Sequence, residues 1–449
     1  MDALKKNRSD WTTADAFLHH HRAPGPIPTT DPEPAVDDGA WGRRFPQLLR
    51  GRALTEAMTA QAARGPCTAA ALRVIPAADL AIEDPAAVDP AVAAADIIDG
   101  LCRQTGGIWG VWPDGTLGCC LPAADPAETA RLLEPLSIDL VHQCPGTTLF
   151  GGIAAHPLLN YPPAELAANA LKALAHAAFF EGGAVIALDA ISLNISGDRA
   201  FEADDVTTAM AEYQRALELD NANANVLNSL GACYGHVGAY EKGIRFLEAA
   251  VAADPMEYMA VYNIGLTRQL MGDRSGAMAQ FTAAAALAPE VFEIAFQLGR
   301  LLLEAGSPTE ALEHLEKAVR LNPGSGSAQK LLGQCHEALD HLEPAIAAYK
   351  KAVTQNPNDP ETLSALGCLF DKKGENPEIT IIFCQQSVDL APDNGLYRLR
   401  LGQLYLKQGM LAEALETFKA ADRCGAKEAA ALVDEVLERM DQASREMPN

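Results

Sequence analysis

Residue types able to do chemistry sit in few places along this chain. In "VWPDGTLGCCLP", residues 111–122, an apolar run ends at Trp112, turn residues Pro113, Asp114 and Gly115 follow, and Leu117 resumes an apolar run. Pro-Asp-Gly is turn chemistry, so the stretch reads as a β-hairpin whose tip carries one carboxylate and one hydroxyl, Asp114 and Thr116. His19, His20 and His21 form a run that could ligate a metal, although a solvated polar patch is the commoner fate of such a run. The ten cysteines include no Cys-x-x-Cys pair and no regular Cys/His spacing, which argues against both a zinc ribbon and a disulfide framework. Cys119 and Cys120 are adjacent in an apolar run and read as buried free thiols. No metal-ligand set, no cofactor and no catalytic constellation is expected from these residues.

These groups must be positioned by three segments. Residues 1–44 are rich in Pro, Asp and Thr and are expected to be largely unfolded, with a short helix anchored by Trp11, Phe17 and Leu18. Residues 45–189 alternate helical and strand patterns. "LLRGRALTEAMTAQAARG" reads as helix, "TAAALRVIP" as strand, "AVAAADIIDGLCRQ" as helix, and the hairpin follows. "ETARLLEPL" is helical, "TTLFGGIAA" a strand, "PAELAANALKALAHAAFF" a helix and "AVIALD" a last strand. Alternation with one hairpin predicts an α/β domain with a central sheet and flanking helices. At 449 residues the chain exceeds one compact core.

Beyond residue 190 the chain repeats itself every 34 residues. Small residues recur at Gly231, Gly265, Gly299, Gly333, Gly367 and Gly402, and again at Gly243, Ala277, Ala311, Ala345 and Ala414. A third series is Ala250, Ala284, Ala318, Ala352 and Ala421, with Leu247, Phe281, Leu315, Tyr349 and Phe418 filling the adjoining space. Prolines close units at Pro255, Pro289, Pro323, Pro357 and Pro392. Two helices joined by a short turn pack closely only where small residues meet, and a proline then resets the chain. In "AGSPTEAL", Ser307, Pro308 and Glu310 have the types of a helix cap, a first helical residue and a capping-box partner.

This pattern closely resembles tetratricopeptide repeats over residues 190–426, in seven units starting near 190, 224, 258, 292, 326, 360 and 395. The first unit is degenerate; the sixth has one extra turn residue, with Thr380 and Ser387 at small positions. "KEAAALVDEVLERMD", within residues 427–449, resembles a capping helix. The resemblance implies an all-α superhelix whose groove is lined by the first helix of each pair. Carried over residue by residue, that face comprises Asn225, Asn228, Ser229 and His236, then Tyr262, Asn263 and Gln269. Phe296, Gln297, Arg300, Lys330, Gln334, Arg400 and Gln403 continue it, with Lys407 a further cation. Amides would bond an extended peptide backbone, and Tyr262 and Phe296 would hold an apolar anchor. The implied partners are proteins or peptides.

Residues 45–189 resemble the GGDEF domain of diguanylate cyclases in "GRALTEAM", "GCCLPAADPAETARLLEPL", "TTLFGGIAAHP" and "PAELAANALKALAHAAFFEGG". The five signature positions then fall on Pro113, Asp114, Gly115, Thr116 and Leu117. The family's chemistry needs carboxylates holding Mg²⁺ at the hairpin and on the first strand. Here the third and fourth positions are Gly115 and Thr116, Val74 to Pro76 supply no acid, and the helix Asp and Lys positions are Leu171 and Ala178. The resemblance therefore implies a degenerate domain without cyclase activity.

Net charge is −24, divided as −9 through residue 195 and −15 beyond, so neither part suits a phosphate backbone. No apolar segment reaches membrane-spanning length and no signal sequence opens the chain, so a cytoplasmic protein without membrane association is expected. The expectation is a non-enzymatic interaction scaffold with a cyclase-like domain, and homo-oligomerisation through that domain stays open. The alternative is a nucleotide-sensing or residually active cyclase regulated by its repeat arm.

Overall fold

The computed structural model describes residues 41, 43–76, 89–374 and 377–446. The chain divides into two compact units that part between Met271 and Gly272, inside the third repeat. The change from sheet to repeats at about residue 190 lies within the first unit.

The first unit opens with β1 (Leu49–Arg50), α1 (Arg52–Arg64), β2 (Cys67–Ile75) and α2 (Pro90–Thr105). Then come β3 (Ile108–Val111), β4 (Leu117–Pro122), α3 (Pro126–Gln143), β5 (Thr148–His156), α4 (Leu166–Ala177) and β6 (Val185–Ala187). The sheet order is β1-β3-β4-β2-β5-β6, with β2 antiparallel to both β4 and β5 at its centre.

Small residues on β2 explain why both sheet faces are covered. Ala70 and Leu72 meet α2 and α3 on one side, while Cys67, Ala69 and Ala71 meet α1 and α4 on the other. A strand buried on both faces reads as continuous apolar sequence, as "CTAAAL" does. Helix and sheet approach closely at Gly152, where a Cβ would lie 1.9 Å from the Leu174 backbone nitrogen. Cys119 and Cys120 are free and fully buried, in agreement with the sequence.

Three local expectations change. Leu49 and Arg50, read as helical, form a two-residue strand paired with β3, too short to carry a period of its own. α3 runs on to Gln143 with Pro135 inside it. Trp41, expected in the unfolded segment, is 7 % exposed and packs on Phe45, which meets Trp109 edge-on at 5.0 Å. His19–His21, Trp11, Phe17 and Leu18 lie outside the described residues.

Helical pairs follow. In the first unit they are α5 (Ala190–Glu202) with α6 (Val206–Leu219), then α7 (Ala224–His236) with α8 (Tyr240–Ala253), and the single α9 (Tyr258–Leu270). The sheet domain is tied to the first pair. Tyr161 joins the cluster of Ala190, Leu193 and Tyr213, the Arg215 guanidinium lies 4.5 Å from its ring centroid, and Lys172 pairs with Glu212.

The second unit holds α10 (Arg274–Leu287), α11 (Phe292–Glu304), α12 (Pro308–Leu321), α13 (Gly326–Ala338) and α14 (Leu342–Gln355). It ends with α15 (Pro360–Lys373), α16 (Pro377–Leu390), α17 (Gly395–Lys407), α18 (Leu411–Arg423) and α19 (Ala429–Glu446). The small–large register is as the repeat frame requires. Cβ atoms on Gly231, Gly333 and Gly402 would lie 2.7, 2.7 and 2.6 Å from Leu247, Tyr349 and Phe418. In the sixth unit Cys384 takes the bulky place against Gly367, and Thr380 and Ser387 are buried at the small positions. Its extra residue lies in the first helix, α15, which has 14 residues where α13 and α17 have 13, and residues 375–376 of the turn lie outside the described residues. Pro308 is the first helical residue of α12, but the Ser307 side chain makes no cap hydrogen bond. α19 covers α18 with Val436 fully buried. Among the described residues no helix is long and apolar enough to cross a membrane.

Candidate functional site

The hairpin tip is built by β3 and β4, whose register pairs Val111 with Leu117. Trp112 N–H donates to the Thr116 carbonyl at 2.9 Å and Gly115 N–H to the Trp112 carbonyl at 3.0 Å. Gly115 has φ of 78°, a left-handed conformation that suits glycine. Asp114 folds back on its own turn, accepting from the Thr116 N–H at 3.2 Å and from the Thr116 hydroxyl at 3.0 Å.

Arg73 completes the arrangement. It stands on β2, one residue beyond the Leu72–Leu117 pair, with its side chain 16 % exposed. Its guanidinium donates to the Thr116 hydroxyl at 2.8 Å and forms an ion pair with the Asp114 carboxylate. A cation already sits on the single carboxylate, so a metal ion would have to displace a partly buried arginine. Thr116 and Leu117 are buried, and the turn's chemistry is internal. Sequence reasoning did not single out Arg73; its signal was one cation inside the apolar run "AAALRVI".

The first-helix residues separate into two groups. Asn228, Ser229, Tyr262 and Asn263 are fully buried, and Phe296 and Gln297 are 8 % and 5 % exposed. Tyr262 and Phe296 are therefore not open anchors, which corrects that expectation: in these stacks the side chains at their positions are enclosed. Asn263 donates to the Asn228 side-chain oxygen at 2.9 Å, and Ser229 donates to Asp198 at 3.4 Å. Asp198 is also bonded by the Tyr213 hydroxyl at 2.6 Å and by Asn194 at 3.0 Å, so this polar set specifies helix packing. Gln297 accepts from Arg300 at 2.6 Å, and Arg300 pairs with Glu304 at 3.0 Å.

Asn225, His236, Gln269, Lys330, Gln334 and Arg400 are partly exposed and Gln403 is exposed. The cations of the later repeats face acids and hydroxyls at the neighbouring first helix. Lys330 pairs with Asp359 at 2.9 Å and Glu361 at 2.6 Å, and Gln334 donates to Glu361 at 3.1 Å. Arg400 donates to the Ser364 hydroxyl at 2.9 Å, and Lys407 pairs with Asp371 at 2.7 Å. Burial pushes the Lys330 ammonium down, but its bonds to Glu361 and Asp359 outweigh that and hold its pKa above the ordinary lysine value. Lys330, Arg400 and Lys407 thus stitch α13, α15 and α17 together. What the face leaves for a ligand is amide hydrogen bonding.

Among the described residues no three His, Cys, Asp or Glu side chains converge as a metal site.

Comparison with known proteins bears directly on the repeats. Tetratricopeptide repeat profiles match residues 262–326, 296–360 and 383–439, and a further TPR repeat profile matches residues 197–238. The BBSome complex member bbs-4 of Caenorhabditis elegans is 24 % identical over 269 residues, covering 58 % of each chain. Hsp70-Hsp90 organizing protein 1 of Glycine max is 25 % identical over 230 residues, 50 % of this chain and 40 % of that one. The chain spans about half the length of the curated relatives it matches. Among solved structures, YrrB, titled a TPR protein with an unusual peptide-binding site, aligns with TM-score 0.38 and 22 % identity over 41 % of this chain and 95 % of that one. The chain carries tetratricopeptide repeats.

Proposed function

We propose that the protein is a non-enzymatic interaction scaffold that binds other proteins through the first-helix faces of its repeats. The observation that carries this reading is the repeat match itself, joined to faces that offer amide groups at Asn225, Gln269, Gln334 and Gln403. The names of the relatives, a BBSome complex member and an Hsp70-Hsp90 organizing protein, point the same way. The ligand is an extended segment of neutral or basic character, because the cations on the α13–α15–α17 face are already paired and the chain is strongly acidic.

The N-terminal domain is, on this reading, a cyclase-like module without metal chemistry. Supporting it are a hairpin beside the central strand, helices on both sheet faces, and Arg73 seated on the lone hairpin carboxylate. Affinity capture with the full chain, followed by mass spectrometry, tests the scaffold role. Proteins retained by the wild type and lost with Gln334→Ala/Gln403→Ala support it; an identical set on the variant places the contact elsewhere. GTP turnover with Mg²⁺ by the purified chain would overturn the non-enzymatic reading.

A further inference from the structure

The junction between the sheet domain and the first helical pair contains a crevice of about 330 Å³ between α4 and α5. Leu171 and Ala175 give it an apolar floor on α4, and Ala168, on the same helical stripe, stands at its exposed rim. The two alanines leave room that larger residues would fill. Lys172, Ser196 and Arg199 supply the polar edge.

Arg199 differs from the other cations of this junction. Lys172 pairs with Glu212 at 2.8 Å, and Arg215 reaches Glu165 at 3.2 Å and Glu212 at 3.3 Å. The Arg199 guanidinium, half-buried, has no hydrogen bond or ion pair among the described residues. Burial holds it below the ordinary arginine range, and the nearby exposed Glu202 opposes that shift without forming a contact. A partly desolvated guanidinium fork with no counter-ion is costly unless a planar anion completes it.

We propose that this crevice binds a monocarboxylate carrying a short aliphatic body, with the carboxylate forked on Arg199 and the body on Ala168, Leu171 and Ala175. Three observations set the class. Guanidinium and carboxylate match in a bidentate pair. Lys172 is already neutralised by Glu212 and Glu202 stands close by, so the site compensates one negative charge and disfavours a phosphate dianion. The floor is apolar, and the volume lies at the small end of ligand pockets. Such a carboxylate can be a free short-chain acid or the last residue of a peptide with an aliphatic side chain.

The test is calorimetric titration of the full chain with pentanoate, with its neutral isostere pentanamide, and with tetrapeptides ending in leucine as free acid or amide. Saturable binding of pentanoate or the free-acid peptide, at least tenfold tighter than its amide, is the expected result. Tighter binding of the peptide acid than of pentanoate identifies a peptide terminus as the source, and the reverse identifies the free acid. Arg199→Ala should weaken binding at least tenfold. Ala168→Phe, which fills the crevice from its exposed rim and keeps Arg199, should do the same with an unchanged circular dichroism spectrum. Equal binding of acid and amide, no binding of either acid, or full affinity in Ala168→Phe would overturn the proposal.

Discussion

At Gly299 a single added carbon would sit 2.6 Å from Leu315 Cγ and 3.2 Å from its backbone nitrogen. Neither neighbour can give way, because Leu315 is fully buried and its nitrogen belongs to α12. Gly299→Leu should therefore force α11 from α12 and destabilise the second unit by about 1–3 kcal/mol or more. A denaturation midpoint equal to wild type would mean that the small–large register is wrong. Arg73 shows the same residue-scale logic with charge in place of volume. Its guanidinium occupies the space where a cation would sit on Asp114, and the turn closes around that pair.

At the scale of elements, the stitching of first helices matters more than any one cap. Lys330 of α13 is held by Asp359, the N-cap residue of α15, and by Glu361 in its first turn. Burial raises the Asp359 carboxyl, but the Thr362 hydroxyl and Lys330 outweigh that and leave its pKa below the ordinary carboxylate value. A lowered carboxylate pKa contributes stability above about pH 4, and that contribution fades as pH falls through the folded value. The raised Lys330 pKa contributes below about pH 10.4 and is lost only above that. Lys330→Met should lower stability by about 1 kcal/mol at pH 7, partly screened because both groups touch water. The gap between variant and wild type should narrow near pH 3. An equal gap at both pH values, in thermal unfolding, would remove the ion pair as its cause.

The repeats were legible in sequence because one contact recurs every 34 residues, so Gly231, Gly333 and Gly402 report the same packing. The ion pairs were not, since they join residues such as Lys330 and Asp359 that the repeat frame places in different helices. Tyr262 was placed on the right helix, but enclosure depends on the neighbours' side chains, which a positional frame does not hold. In the sheet domain most strands were legible from apolar runs, whereas β1 is too short to signal itself.

For the whole molecule, a net charge of −24 has a structural allocation. Asp89, Asp125, Asp189, Asp205, Asp273 and Asp359 each cap a helix, accepting from an N–H in its first turn. A fold made chiefly of helices thus has recurrent use for carboxylates, and many of its cations are drawn into pairs such as Lys330–Asp359 and Lys407–Asp371. The excess left in solution is negative in both the sheet-bearing part and the repeats. Duplex DNA should consequently not be retained by the full chain even at about 0.05 M salt, where attraction to a basic surface would be strongest. Fluorescence anisotropy of a labelled duplex measures this directly. Micromolar binding that weakens as salt rises would require a concealed basic surface and would overturn the electrostatic argument.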